Sequence, residues 1–241
     1  SGSHNLVVGG QHSWSSTGGI VAGYANTIAG GSTAVLGGTQ NVADGLRSAI
    51  LGGQKNSATG EASSVSGGVF GEARGVHSTV AGGNAGLASG RDSTVAGGDL
   101  GSAAGDCSFV GGGASNVASG SSSSVTGGSN NQAEGNVATV VGGISNLAVS
   151  GGSLVAGGES NTAGNFEATA PTVVGGIFNT ALESGATVLG GYENIASASD
   201  STVTGGHKNV AEGSASTVGG GDKRTASGDF DWVAGSLFED D

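Results

Sequence analysis

Proline occurs once in this chain, at Pro171, methionine is absent, and Cys107 is the lone cysteine. One cysteine excludes an internal disulfide framework and a cysteine-based metal centre. Aromatic residues make up only 4% of the chain, too few for a core built on large rings. Cations are scarce too: seven Lys and Arg face nineteen Asp and Glu, a net charge of −12, with no basic patch. That balance argues against a nucleic-acid partner. No apolar run is long enough to span a bilayer, and no charged-then-apolar leader opens the chain. The expectation is a soluble protein or an excised module without direct membrane insertion.

What the chain has in excess is glycine, 53 residues of 241. Without a period this would read as a flexible low-complexity segment. There is a period. A template S-T-V-x-G-G-x-x-N-x-A-x-G recurs, with its key residue at Val7, Val21, Val35, Ile50, Val65, Val80, Val95, Val110, Val125, Val140, Val155, Val173, Val188, Val203, Val218 and Val233. The first two steps are fourteen residues, the step from Val155 is eighteen, and every other step is fifteen. A fixed short period filling the chain predicts a solenoid.

The fold expectation is all-β: a parallel β-roll or β-solenoid of about sixteen turns of 14–15 residues, two short strands per turn, associating as a side-by-side homotrimer. One repeat domain spans residues 1–241, with an N-terminal capping turn at 1–20 and repeats over 21–232. A loop insertion falls at 165–171 and a C-terminal cap at 233–241. Within a copy, S-T-V-x-G alternates with period two and reads as a strand, and N-x-A reads as a second. The Gly-Gly pair between them marks a tight corner without room for Cβ.

Three columns carry the detail. Val80, Val95, Val110 and Val125 are predicted to point into the coil, opposite Ala88, Ala103, Ala118 and Ala133. From Ala43 to Ala226 nothing larger stands in the alanine column, as expected of a narrow interior. Asn and Gly share a third column, with Gly71, Gly86 and Gly101 among the asparagines. That alternation predicts a backbone position with positive φ, the glycines counting against an amide ladder as the sole cause.

The residues flanking each key Val must face outward. Sixteen copies with two neighbours each make thirty-two positions, and none is charged. Random placement of the 26 charged residues would put about three or four there. These positions include Leu36, Leu51, Phe109, Thr139, Val141, Leu154, Leu189 and Trp232. An uncharged face this long asks to be covered. One Val and one Ala per turn make a thin core against the entropy of ordering the turn, which also points to association.

Copies such as Ser93-Thr-Val-Ala-Gly-Gly98 and Asn116-Val-Ala-Ser-Gly120 resemble the head repeats of trimeric autotransporter adhesins, the YadA-like left-handed β-roll. The resemblance covers nearly the whole chain. It implies three chains side by side, an extracellular or bacterial cell-surface location, and binding of extracellular matrix, glycan or a cell-surface receptor. It transfers no binding residue by position, so the ligand-binding residues stay unassigned.

No catalytic constellation emerges, and no cofactor or metal is expected. His4, His12, His77 and His207 lie in different copies without an acidic or cysteine partner at ligand spacing, and a capping role suits the first two. Gly-rich corners lack the Lys and following helix of a phosphate loop. The leading expectation is therefore a non-enzymatic, rod-like adhesion or display module. A purely structural fibre or spacer is the alternative. Ice binding is a lesser one, raised by the rank of Thr79, Thr94, Thr139, Thr172, Thr187, Thr202 and Thr217 and interrupted by Phe109 and Leu154.

Overall fold

The computed structural model describes residues 2–235. It falls into two compact units, Ser1–Ser122 and Ser123–Asp241. Each is a parallel β-solenoid with two short strands per turn. Among the described residues, the strands Leu6–Gly10 and Ile20–Tyr24 are five residues long and the other twenty-nine of the thirty-one strands are two. In each unit alternate strands build two sheets. One carries the key valines and the other the alanines, here called the valine sheet and the alanine sheet.

The register is one repeat per turn. In the first unit Val80 pairs with Val65 and Val95, and Ala88 with Ala73 and Ala103. In the second Val140 pairs with Val125 and Val155, and Ala148 with Ala133 and Ala163. Like residues therefore stack on like, so a property set at one position of the repeat becomes a column along the unit. Val80, Val95, Val110, Val125, Ala88, Ala103, Ala118 and Ala133 are all fully buried. Val7, in the first turn, is 37% exposed.

The interior holds more than these two columns. Ser48, Ser63, Ser78 and Ser93 in the first unit, and Ser153, Ser201 and Ser216 in the second, are also buried, two residues before each key Val. So is the Asn column, where the structure overturns the positive-φ expectation. Asn41, Asn56, Asn146 and their counterparts do not have left-handed backbones. The residue before each one does, for example Gln40, Lys55, Phe70, Ser145 and Phe178. A second left-handed corner falls at Arg47, Ala62, His77 and Val137. The non-glycine φ values lie between 52° and 62°, a region L-residues rarely visit.

The Asn side chains form a buried ladder instead. Asn146 Nδ2 donates to Gly142 O and Gly158 O, both at 2.9 Å, and its Oδ1 accepts the backbone N–H of Asn161 at 3.0 Å. Each amide thus closes its own turn and clasps the next. A narrow coil leaves corner N–H and C=O groups inside, away from water, and an unmet buried group costs more than a made bond returns. Asn carries donors and an acceptor on one short side chain, so it satisfies both at once. Gly86 and Gly101 break the ladder in the first unit; Gly71 still donates its N–H to Asn56 Oδ1 at 2.8 Å. The core is therefore less thin than a count of valines and alanines implies.

Two smaller expectations also change. In the fifteen-residue turns, as at Gly142–Gly143, only the second Gly lacks room for Cβ: at Gly143 (φ +92°) a Cβ would lie 2.2 Å from Gly158 O, whereas at Gly142 nothing lies within 4 Å. The alanine column also admits something larger at the N-terminal end, where Ile28 pairs with Ala43 and is fully buried. Gly19 stands in the serine column of that turn, and a Cβ there would meet Ile28 Cδ1 at 2.8 Å. Ile28 fills the volume that the glycine leaves.

In the second unit the three extra residues of the long turn sit at 165–167. The register is restored by Thr169, which bridges to Gly151. Asn165 Oδ1 accepts the N–H groups of Glu167 and Ala168, both at 2.9 Å, and Ser150 Oγ donates to Asn165 O at 2.5 Å. The loop lifts Phe166 to 88% exposure. Beyond it, Trp232–Val233 is the last strand among the described residues, and residues 236–241 of the C-terminal cap lie outside them.

Candidate interaction surface

The outer face of the valine sheet is built by the alternation of a strand. With each key Val turned inward, the residue on either side turns outward. In the first unit this exposes Leu36, Leu51 and Phe109. In the second it exposes Val141, Leu189 and Trp232, while Thr139 and Leu154 are half-buried among their stacked neighbours. Leu51 is 52% exposed and Trp232 71%. Parallel register stacks these outward residues turn over turn within each unit, so Thr139 pairs with Leu154 and Thr187 with Thr202. Each unit therefore presents an uncharged band of Leu, Val, Ala, Thr and Ser.

Charge lies elsewhere, at the corners and on the alanine sheet. Arg47 pairs with Glu61 at an exposed corner of the first unit, and Arg74 with Glu72 along an alanine-sheet strand. Lys55 Nζ stands 5.2 Å from the centre of the Phe70 ring. The reading that the histidines lack acidic partners is corrected here. His77 Nδ1 lies 3.0 Å from Asp92 Oδ1, and His207 Nδ1 lies 2.5 Å from Asp222 Oδ1. Each pair is one period apart. Fifteen residues in sequence become neighbours in space once the turns stack, a distance that local motif spacing does not capture.

His12 closes the first turn. Its Nδ1 accepts the N–H of Asn26 at 3.2 Å and its Nε2 donates to Val8 O at 3.1 Å, so it stands in the Asn column and completes the ladder at that end. Asn5 does the same for the serine column, accepting the Gly19 N–H and donating to Ser16 O, both at 2.7 Å.

A separate cluster lies at a corner of the second unit. Phe178 and Tyr192 meet edge to face with ring centres 6.0 Å apart, and Tyr192 and His207 lie 5.5 Å apart at 37°. The Glu193 carboxylate beside Tyr192 raises the phenol above its ordinary range. Tyr192 and the Lys208 ammonium in turn hold Glu193 below the usual carboxylate range. Lys208 Nζ is 3.2 Å from Glu193 Oε2. No sequence motif announces this group, because its three rings are fourteen or fifteen residues apart.

No pocket opens in the described surface, and no three His, Cys, Asp or Glu side chains converge as a metal site would require. Among the described residues no helix is long and apolar enough to cross a membrane. What the arrangement offers chemically is extended surface: an uncharged sheet face, charged corners and one aromatic cluster. In comparisons with known proteins, no family model and no curated protein matches the chain.

Proposed function

We propose that the chain is a non-enzymatic display module whose copies associate side by side through the outer face of the valine sheet, leaving the corners to meet an extracellular partner. The observation that carries this reading is the absence of charge from that face while Leu36, Leu51, Val141, Leu189 and Trp232 stand exposed on it. Contiguous apolar surface of this kind marks an interaction site, and a band repeated in each turn fits a second copy in the same register. The resemblance to the heads of trimeric autotransporter adhesins supports three copies and a place at a bacterial cell surface. It also supports matrix, glycan or cell-surface receptors as partners.

Light scattering on the purified chain tests the association. A mass near three times 22.5 kDa is expected, and a monomer at micromolar concentration overturns it. Binding to immobilised matrix proteins and glycans then separates adhesion from a purely structural role. A stable trimer that retains neither partner is a spacer.

A further inference from the structure

The aromatic cluster of the second unit is not used by association through the valine sheet. It lies at a corner where two adjacent positions repeat from turn to turn. The first position holds Ile177, Tyr192, His207 and Asp222, bridged in parallel. The second, the left-handed residue that follows, holds Phe178, Glu193, Lys208 and Lys223. Left-handed backbone directs this second residue outward, so stacking builds a two-column ladder facing solvent. Four turns at the ~4.8 Å spacing of neighbouring strands make a strip on the order of 14 Å long.

The geometry is that of a shallow platform. Tyr192 and His207 are inclined at 37°, a nearly continuous floor, and Phe178 stands at 88° to Tyr192. Phe178 and Tyr192 are exposed although the chain as a whole holds few aromatics. The polar groups beside the floor are already paired: Lys208 Nζ lies 3.2 Å from Glu193 Oε2, and Asp222 holds His207. Side chains fixed before binding lose little freedom when a ligand arrives.

Apolar ring faces bordered by a carboxylate and an ammonium suit one ligand class above others. A pyranose ring offers C–H groups on its faces and hydroxyls at its rim that both donate and accept. The ring faces take the first, Glu193 accepts from the second, and Lys208 donates to it. Because Lys208 is offset by Glu193 and His207 is paired with Asp222, the strip carries no strong excess of either sign. A neutral sugar fits that balance better than an anionic one. The length of the strip suits a short oligosaccharide.

We propose that Phe178, Tyr192 and His207, with Glu193 and Lys208, form a binding site for a neutral oligosaccharide. The proposal rests on reading the chain as a display module and supplies its ligand class.

The test probes the full chain against immobilised neutral tri- and tetrasaccharides of hexoses and N-acetylhexosamines, with affinities from titration calorimetry. At least one saccharide is expected to bind. Tyr192→Ala should weaken it tenfold or more and Glu193→Gln several-fold, while Tyr192→Phe, which keeps the ring, stays within a few-fold. Tyr24→Ala, at the corresponding corner of the first unit and without an aromatic neighbour, should leave binding unchanged. Melting temperature and light scattering on each variant exclude unfolding as the cause. The site is overturned if no neutral saccharide binds, or if binding survives Tyr192→Ala. A trimer that binds a matrix protein but no saccharide removes this site and leaves the display reading standing. A monomer whose saccharide binding is lost in Tyr192→Ala does the reverse.

Discussion

At the scale of single residues, the buried amide and the buried methyl are the two groups the coil depends on. Asn146 donates one bond within its own turn, donates a second to the next turn and accepts a third from it. Asn146→Ala would leave corner carbonyls and the Asn161 N–H unmet, and each such group costs about 1–3 kcal/mol. A loss of roughly 2 kcal/mol or more is expected in denaturant melts. Gly86→Asn should act in the opposite sense by restoring the ladder. The added Cβ meets Val95 Cγ1 at 3.1 Å, so that side chain must yield by a few tenths of an ångström. A raised melting temperature is the expected readout, and a lowered one would show that the Val cannot move. Ala133 is fully buried and Glu134, beside it, is exposed. Ala133→Leu should cost roughly 1–3 kcal/mol by overpacking, while Glu134→Leu changes stability little; equal effects would contradict the assignment of faces. Ile28 is tolerated in the same column only because Gly19 makes room for it, so no such relief is available at Ala133.

At the scale of elements, strands of two residues have little stability of their own, and the corners decide whether successive turns stack. The two glycines of each pair look alike in sequence but differ in duty. At Gly143→Ala the new Cβ falls 2.2 Å from the Gly158 carbonyl, and the φ of +92° strains any L-residue. This variant should lose stability sharply or fail to fold. Gly142→Ala meets open space and should be close to neutral, and circular dichroism melts compare the two directly. The loop at 165–167 belongs to this scale as well. The register on either side of it is continuous through the Gly151–Thr169 bridge. Deleting Asn165–Glu167 should therefore restore a fifteen-residue turn and keep the β-sheet signal. Loss of that signal would mean that the Asn165 brace on Ala168 holds the turn together.

At the scale of the whole molecule, the distribution of charge matters more than its sum. A net charge of −12 makes copies of the chain repel one another, yet the valine-sheet face carries none of that charge in either unit. Asp at Thr139 or Val141 would place a like charge from every associating copy in one desolvated seam, where Coulomb energies far exceed those in water. Either substitution is expected to shift light-scattering mass toward monomer at least tenfold in the concentration required for assembly. Asp at Gln132, on the exposed side of the alanine sheet, should leave the mass unchanged. Equal behaviour of the three variants would place the interface elsewhere.

The sequence by itself determined the solenoid, its period and the two strands per turn, because a repeat in register with itself can bury its small apolar residues only by stacking. It also determined which face is free of charge, since strand alternation converts neighbours of Val80 or Val140 into outward positions. The tertiary structure alone decided what the Asn column does. Its conformation looked like a backbone preference because Asn and Gly are the residues that tolerate left-handed φ. The buried corner carbonyls that the amide serves exist only once turns are stacked. The left-handed corners were illegible for the same reason: Lys55, Phe70 and Val137 have no shared chemistry, and the ladder of inter-turn bonds imposes the conformation on whatever residue stands there. The His207–Asp222 pair and the Phe178–Tyr192–His207 cluster were likewise hidden, since a step of fourteen or fifteen residues separates their members along the chain and one strand spacing separates them in space.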